Sequence, residues 1–279
     1  MIPISTEMEG LGHPVVLRED EYLNEDNLLC CSNCHTPRQK RIEVAGMRME
    51  PRCMCACQIA AHEKREQERK HREFLDMVER NRSVGLPDPE LRKHTFENDL
   101  GYNPKQIAIA KQYVQHWEEF LASSTGLLLW GNVGTGKSYI AGCIANALLD
   151  KGVPVIITNF ARLLNKLTDM YSGDRNAYID SFKKYPLMII DDLGMERDSE
   201  FAREQVFSVI DSRYRSQLPI IVTTNLSLEE LKDTTDLSKA RIYDRVMERC
   251  LPIRVNEQNI RELNQAAVLS RAKQLLSGT

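Results

Sequence analysis

A chain of 279 residues, 42% of them hydrophobic, is long enough for one large domain or two smaller ones around a buried core. A formal net charge of −3 excludes a generally basic nucleic-acid binder, so any such contact must come from a local patch. The opening MIPISTEMEG has neither a basic start nor an apolar run, and no apolar stretch approaches the roughly 18 residues of a membrane span. A soluble cytoplasmic protein without a membrane partner is therefore expected.

Residues 1 to about 29 are acidic and lack periodicity, which reads as a flexible lead or a small helix. Six of the eight cysteines then fall between Cys30 and Cys57. In a reducing compartment such clustering argues for metal over disulfides. Cys31-Ser32-Asn33-Cys34 is one knuckle, and Cys53-Met54-Cys55-Ala56-Cys57 supplies the other. Thiolates suit Zn²⁺, and four of them close a tetrahedral site. We expect Cys31, Cys34, Cys55 and Cys57 as ligands, with Cys53 as the alternate and His35 at the surface. Arg41–Val44 and Met47–Met49, around Gly46, have the pattern of the ribbon's hairpin. Cys143 and Cys250 stand alone in apolar surroundings and read as small core residues.

Gln58 to Arg82 is a charged run of helix formers, with Glu66–Lys70 and Glu68–Arg72 at i,i+4 spacing. It reads as a solvated linking helix, and Phe74, Leu75 and Val78 offer an alternative use as a docking face. Ser83 to Pro89 punctuates the chain, and the domain boundary is placed there. The division expected is a zinc-ribbon-like domain over 1–57, a charged helix and linker over 58–95, and a second domain over 96–279.

In that second domain Ile107–Leu121 has amphipathic helical spacing. Short apolar runs at 127–130, 154–158, 187–190 and 220–224 alternate with helical segments at 139–149, 160–170 and 201–215. This pattern predicts an α/β fold with a parallel sheet flanked by helices. Between the first run and the first of these helices lies Gly131-Asn132-Val133-Gly134-Thr135-Gly136-Lys137-Ser138, which matches G-x-x-x-x-G-K-[ST] at every fixed position. Glycines let the backbone curl around phosphates, amide N–H groups point inward, and the helix N-terminus favours negative charge. Lys137 is expected on the β- and γ-phosphates of ATP and Ser138 on Mg²⁺, with Gly131 to Tyr139 together binding the nucleotide.

Leu187-Met188-Ile189-Ile190 ends in Asp191-Asp192. In open α/β sheets ligands bind beyond the C-terminal ends of strands. Asp191 is expected to share the Mg²⁺ and Asp192 to polarise the attacking water. Thr223-Thr224-Asn225 ends another strand, where Asn225 either contacts the γ-phosphate or water, or caps the helix begun by Ser227. Arg241, Arg245 and Arg249 share one helical face. They pair on the surface, Arg241 with Asp244 or Arg245 with Glu248, or an arginine reaches a neighbouring subunit's γ-phosphate.

GNVGTGKS, LMIIDDLG, TTN and RIYDR, in this order, resemble an AAA+ ATPase, with the first two as Walker A and Walker B. With CHTPRQ and ERDSEFAREQVFSVIDSRY, residues 30 to 255 resemble the bacterial and phage replicative-helicase loaders of the DnaC/DnaI type. The resemblance implies an N-terminal zinc domain that contacts the hexameric helicase, and an ATPase domain that binds single-stranded DNA and self-associates with ATP. It makes Asn225 sensor 1 and Arg245 the arginine finger, both catalytic with Asp192. Family members most often carry Asp-Glu where this chain has Asp191-Asp192, which suits a slow, regulated hydrolase. No sensor 2 motif stands out after Cys250, so a missing or reduced lid is expected. For DNA, Arg162, Lys166, Lys183 and Lys184 are basic, with Phe160 and Tyr171 for stacking. The alternative within this clade is a transposition helper ATPase, against which the cysteine domain argues. A small-molecule kinase needs an acceptor site and an arginine-rich lid, and a pure binding module would show near-zero turnover.

Overall fold

The computed structural model describes residues 17–44, 46–194, 199–255 and 259–277. Residues 1–16 of the expected lead, and the Glu196-Arg197-Asp198 part of the loader-like motif, lie outside the described residues. The chain forms two compact units, one ending at Phe74 and the other beginning at Leu75.

In the first unit β1 (Glu21–Leu23) pairs antiparallel with β2 (Leu29–Cys31), so the lead is a hairpin by residue 21 and not a helix. Asn24 makes its turn: Oδ1 accepts the backbone N–H groups of Asp26 and Leu28, a local bond that asparagine offers in place of a ladder. The expected second hairpin forms as β3 (Ile42–Val44) and β4 (Met47–Met49). α1 (Ala56–Gly85) begins inside the second cysteine knuckle. Its charged surface is joined differently from the expected pairs: Arg69 bridges Glu66 and Glu73, each at 2.7 Å, and Lys64 approaches Glu68. Arginine's fork reaches both the preceding and the following turn, which one lysine cannot do.

In the second unit the end of α1 continues into the core, where Leu86 is fully buried. The stretch expected to be one helix is two: α2 (Pro104–Gln115) and α3 (Trp117–Ala122), parted at His116. The elements that follow are β5 (Gly126–Trp130), α4 (Lys137–Asp150), β6 (Val155–Asn159), α5 (Phe160–Thr168), α6 (Ser172–Asp180) and β7 (Leu187–Leu193). Next come α7 (Glu200–Arg215), β8 (Ile220–Thr224), α8 (Leu228–Lys232), α9 (Leu237–Arg249), β9 (Cys250–Arg254) and α10 (Ile260–Ser277).

The sheet is parallel throughout, in the order β6-β7-β8-β5-β9. Side chains alternate across a strand. Leu127 and Leu129 therefore join Leu187, Ile189 and Ile221 in a core under α2 and α4, while Leu128 joins Met188, Ile190 and Val222 in a second core under α5, α7 and α9. With both faces covered, the strands read as unbroken apolar runs. The order also places the end of β8 between the phosphate loop after β5 and the carboxylates at the end of β7. Among the described residues no helix is long and apolar enough to cross a membrane.

Candidate nucleotide site and cysteine centre

The sulfurs of Cys31, Cys34, Cys55 and Cys57 all lie within 4.8 Å of one another. Cys31 Sγ is 3.6 Å from Cys57 Sγ, and Cys55 Sγ is 3.2 Å from it. Tetrahedral thiolates at about 2.3 Å from a zinc ion stand roughly 3.8 Å apart, so the set fits Zn²⁺. Cys53 is exposed, its sulfur directed at the Pro37 carbonyl, and is not in the cluster. His35 pairs with the Tyr22 hydroxyl, as a surface residue does. Thr36 supports the set: its Oγ1 accepts the Ala56 N–H at 2.9 Å, which leaves the hydroxyl proton for Cys34 Sγ at 3.0 Å. That hydrogen bond, ahead of the backbone ones, lowers the Cys34 thiol to about 5.

At the phosphate loop, Gly134 and Gly136 take φ of 79° and 99°, where a side chain is strained. Gly136 precedes α4, whose first residues are Lys137 and Ser138. Lys137 Nζ donates to the carbonyls of Gly131 (2.8 Å) and Asn132 (2.7 Å) and to Asn225 Oδ1 (2.8 Å). Burial holds its ammonium below the usual lysine range, against the opposing pull of Asp192 and Asp191. Ser138 Oγ donates to Asp191 Oδ1 at 2.9 Å, which places a hydroxyl and a carboxylate together where the Mg²⁺ of a P-loop site is held. Asp192 sits at a φ of 61°, and burial followed by the Asp191 charge raises its carboxyl above the usual range. Asn225 does not cap the next helix. Ser227 does, in a capping box with Glu230.

These groups border a cavity of about 700 Å³. Val133 to Tyr139, Asp192 and Asn225 line it; Gly131 and Asn132 act through the carbonyls that hold Lys137, and Asp191 joins through Ser138. Tyr139 gives its hydroxyl proton to the Thr95 carbonyl. Three contributors escaped the sequence reading. His94 lines the wall, its imidazole held below the ordinary histidine range mainly by burial. Asn103, buried, donates to the Thr135 carbonyl at 2.9 Å and so fixes the loop. Arg261 borders the cavity from the start of α10, and the Ile260 N–H donates to the Gly134 carbonyl. Among the described residues the part after β9 is the single helix α10, whose first turn docks on the phosphate loop. Its signal was present as Asn259 and Glu262, which bond each other at that helix start.

The profile of the IstB-like ATP binding proteins matches residues 59–267, three quarters of the chain. The chain belongs to that family. It is 30% identical over 187 residues to the replicative helicase loader DnaI of Bacillus subtilis, a match that covers 60% of this chain and 58% of that protein. It is 29% identical over 143 residues to the replicative helicase loader DnaC of Escherichia coli K12, covering 50% and 56%. The matches thus span little more than half of either relative. Among solved structures, a DnaI crystal structure aligns with a TM-score of 0.50 at 26% identity, covering 61% of this chain and 94% of that one. A putative primosome component from Streptococcus pyogenes aligns at 0.51 and 25%, covering 63% and 92%.

The remaining expected residues of this IstB-like chain lie apart from the cavity. On α9, Arg245 donates to Asp211 Oδ1 at 2.7 Å and stacks over Phe207 at 4.4 Å. Arg241 also covers Phe207, and Arg249 covers Tyr214. The three arginines share a face as expected, but they pack on aromatic rings and Asp211 of α7 in place of the pairs with Asp244 and Glu248. Glu248 accepts from the Tyr214 hydroxyl instead. Phe160 is 1% exposed in the core and cannot stack on a base, because the first apolar residue of an amphipathic helix faces the sheet. Tyr171, 84% exposed, remains available. Lys183 pairs with Asp180, while Lys166 and Lys184 lie over the rings of Tyr178 and Tyr185.

Proposed function

We propose that this IstB-like protein is an ATP-controlled loader that binds a hexameric replicative DNA helicase and delivers it to single-stranded DNA. ATP with Mg²⁺ binds the loop Gly131–Ser138, with Ser138 and Asp191 holding the metal. Asp192 polarises the attacking water, and Asn225, now bonded to Lys137, turns to the γ-phosphate. Hydrolysis is slow and answers to DNA and helicase. We assign residues 1–57, with Zn²⁺ on Cys31, Cys34, Cys55 and Cys57, to helicase contact, 58–95 to the link, and 96–279 to the motor. Arg245 serves a neighbouring copy's site, so the ATP state self-associates. Cytoplasmic location follows from this role.

The observation that carries this reading is the coupling, in one chain, of the Lys137–Asn225 site with a four-cysteine centre that lies ahead of the family match. Relatives named as helicase loaders support it. The IstB-like match fits a transposition helper as well, but the cysteine centre favours the loader. A pull-down with a replicative helicase, with and without ATP, tests the proposal. Capture that depends on nucleotide supports it, and no capture in either state rejects it.

A further inference from the structure

The motif CHTPRQ contributes more than a cysteine to the first unit. Arg38 is 4% exposed, although an arginine is seldom buried without partners. Its backbone lies between the two knuckles: its N–H donates to the Leu29 carbonyl of β2, and its carbonyl accepts the Cys53 N–H. Its side chain then turns to the cluster, where Nη2 donates to Cys31 Sγ at 3.3 Å. Two carboxylates accept from it, and the buried Glu21 is the one that aims it. Asp20 Oδ2 takes Nη2 at 2.6 Å, and Glu21 Oε1 takes Nη1 at 3.1 Å. Asp20 is largely exposed, so water screens it, whereas the buried Glu21 is shared with Arg52. The guanidinium therefore keeps positive charge directed at sulfur. Its Nε, buried, has no hydrogen-bond partner.

Four thiolates around one divalent zinc leave a net charge of about −2 on the centre. Burying that excess costs free energy unless a nearby cation or N–H group balances it. We propose that Arg38 is a positioning and charge-balancing residue of the cysteine metal centre, held on Cys31 by Glu21, and that it sets how tightly the centre keeps zinc. The proposal rests on the zinc reading of the cluster. If wild-type protein purified without chelator holds no zinc, that reading fails. If it holds zinc and Arg38 variants hold it equally well, only the present proposal fails.

The test is a competition between full-length protein and a chromogenic zinc chelator, with the absorption spectrum of the Co²⁺-substituted protein as a second readout. Arg38→Gln should lower zinc affinity by about 10- to 100-fold, the range for lost outer-shell partners of metal ligands. It should also shift the sulfur-to-cobalt charge-transfer band, because Cys31 loses its N–H donor. Arg38→Lys keeps the charge without the fork that spans Glu21 and Cys31, so it should shift the same band and weaken zinc by a smaller factor. Asp20→Asn removes only the exposed pair and should leave both readouts as in wild type. A wild-type affinity and spectrum in Arg38→Lys overturns the proposal even if Arg38→Gln fails to fold. An equal loss of affinity in Asp20→Asn also overturns it, since the role would then be general support of the fold.

Discussion

Thr223 Oγ1 donates to Asp191 Oδ1 at 2.5 Å, and the same hydroxyl oxygen accepts the backbone N–H of Asp192 at 2.9 Å. One buried side chain on β8, two residues before Asn225, thus holds the Asp191 carboxylate and the Asp192 backbone together. Thr223→Val keeps the shape and removes the hydroxyl. It leaves the Asp192 N–H without its acceptor, at a cost of about 1–3 kcal/mol. The Mg²⁺ concentration for half-maximal ATPase should rise severalfold, with nucleotide affinity in the absence of Mg²⁺ unchanged and Thr223→Ser near wild type. A Mg²⁺ titration of the three proteins decides this.

Lys137→Ala should abolish tight ATP binding, since the β/γ-phosphates lose their principal cation. The fold should persist, because Lys137 bonds two loop carbonyls and Asn225, which lines the cavity, and belongs to neither apolar core. Isothermal titration with ATP, beside a thermal melt, checks both halves. Equal affinity in mutant and wild type would remove the nucleotide assignment.

Asp192 carries the pH prediction. Its folded carboxyl holds a proton above the ordinary value of 3.8, chiefly through burial and then through Asp191. Just above pH 3.8 the folded chain binds more protons than the unfolded one. Stability from this group therefore falls as pH rises through that window and stays lower at neutral pH. Asp192→Asn removes that cost, so the variant should melt no lower than wild type at pH 7. It should bind ATP, yet hydrolyse it about 10²–10⁴-fold more slowly, the usual worth of a general base. Melting curves at pH 5 and 7 with a turnover assay provide the check.

Removal of zinc should separate the two units in behaviour. A small ribbon has too little core to hold its fold without metal. Chelation should unfold the first unit and end helicase capture, while ATP affinity stays within about twofold, given that the phosphate loop has its own sheet and cores. Metal analysis should find one Zn²⁺ per chain.

Legibility in the sequence followed the range of the interactions. Contiguous motifs came through: the loop Gly131–Ser138, the four strand runs, and the knuckles that bring Cys31, Cys34, Cys55 and Cys57 together. Helical spacing also implied α4, α5, α7 and α9, though not the break at His116, and α6, β9 and α10 went unread. Partners remote in sequence stayed hidden. Asn103 acts on a carbonyl 32 residues away and Arg38 on an acid 17 residues back, and neither spacing has a local signature. Phe160 was misplaced because a bulky aromatic at a helix start is equally compatible with a stacking platform and a core anchor. Only the amphipathic face, with Leu163, Leu164 and Leu167 buried beside it, separates the two.

Arg245 offers the sharpest separation of roles. It does not border the cavity of its own chain, and Asp211, Phe207 and Tyr214 hold its guanidinium on the α7–α9 face with its side chain 25% exposed. If it completes a neighbouring copy's site, Arg245→Ala should bind ATP nearly as wild type does, because Lys137, Ser138 and Asp191 lie in the same chain as the nucleotide. Hydrolysis should fall. Arginine fingers in P-loop systems are worth about 10³–10⁵ in rate, and a slow ATPase has less to lose. Mixing distinguishes geometry from mere packing. Lys137→Ala chains still carry Arg245, and Arg245→Ala chains still carry an intact loop, so a mixture should regain turnover that neither has alone. If Arg245 only packs on α7, its loss should cost about 1–2 kcal/mol from one ion pair and ring contacts. Asp211 would keep its bond to Arg215, turnover with DNA and helicase would equal wild type, and mixing would restore nothing.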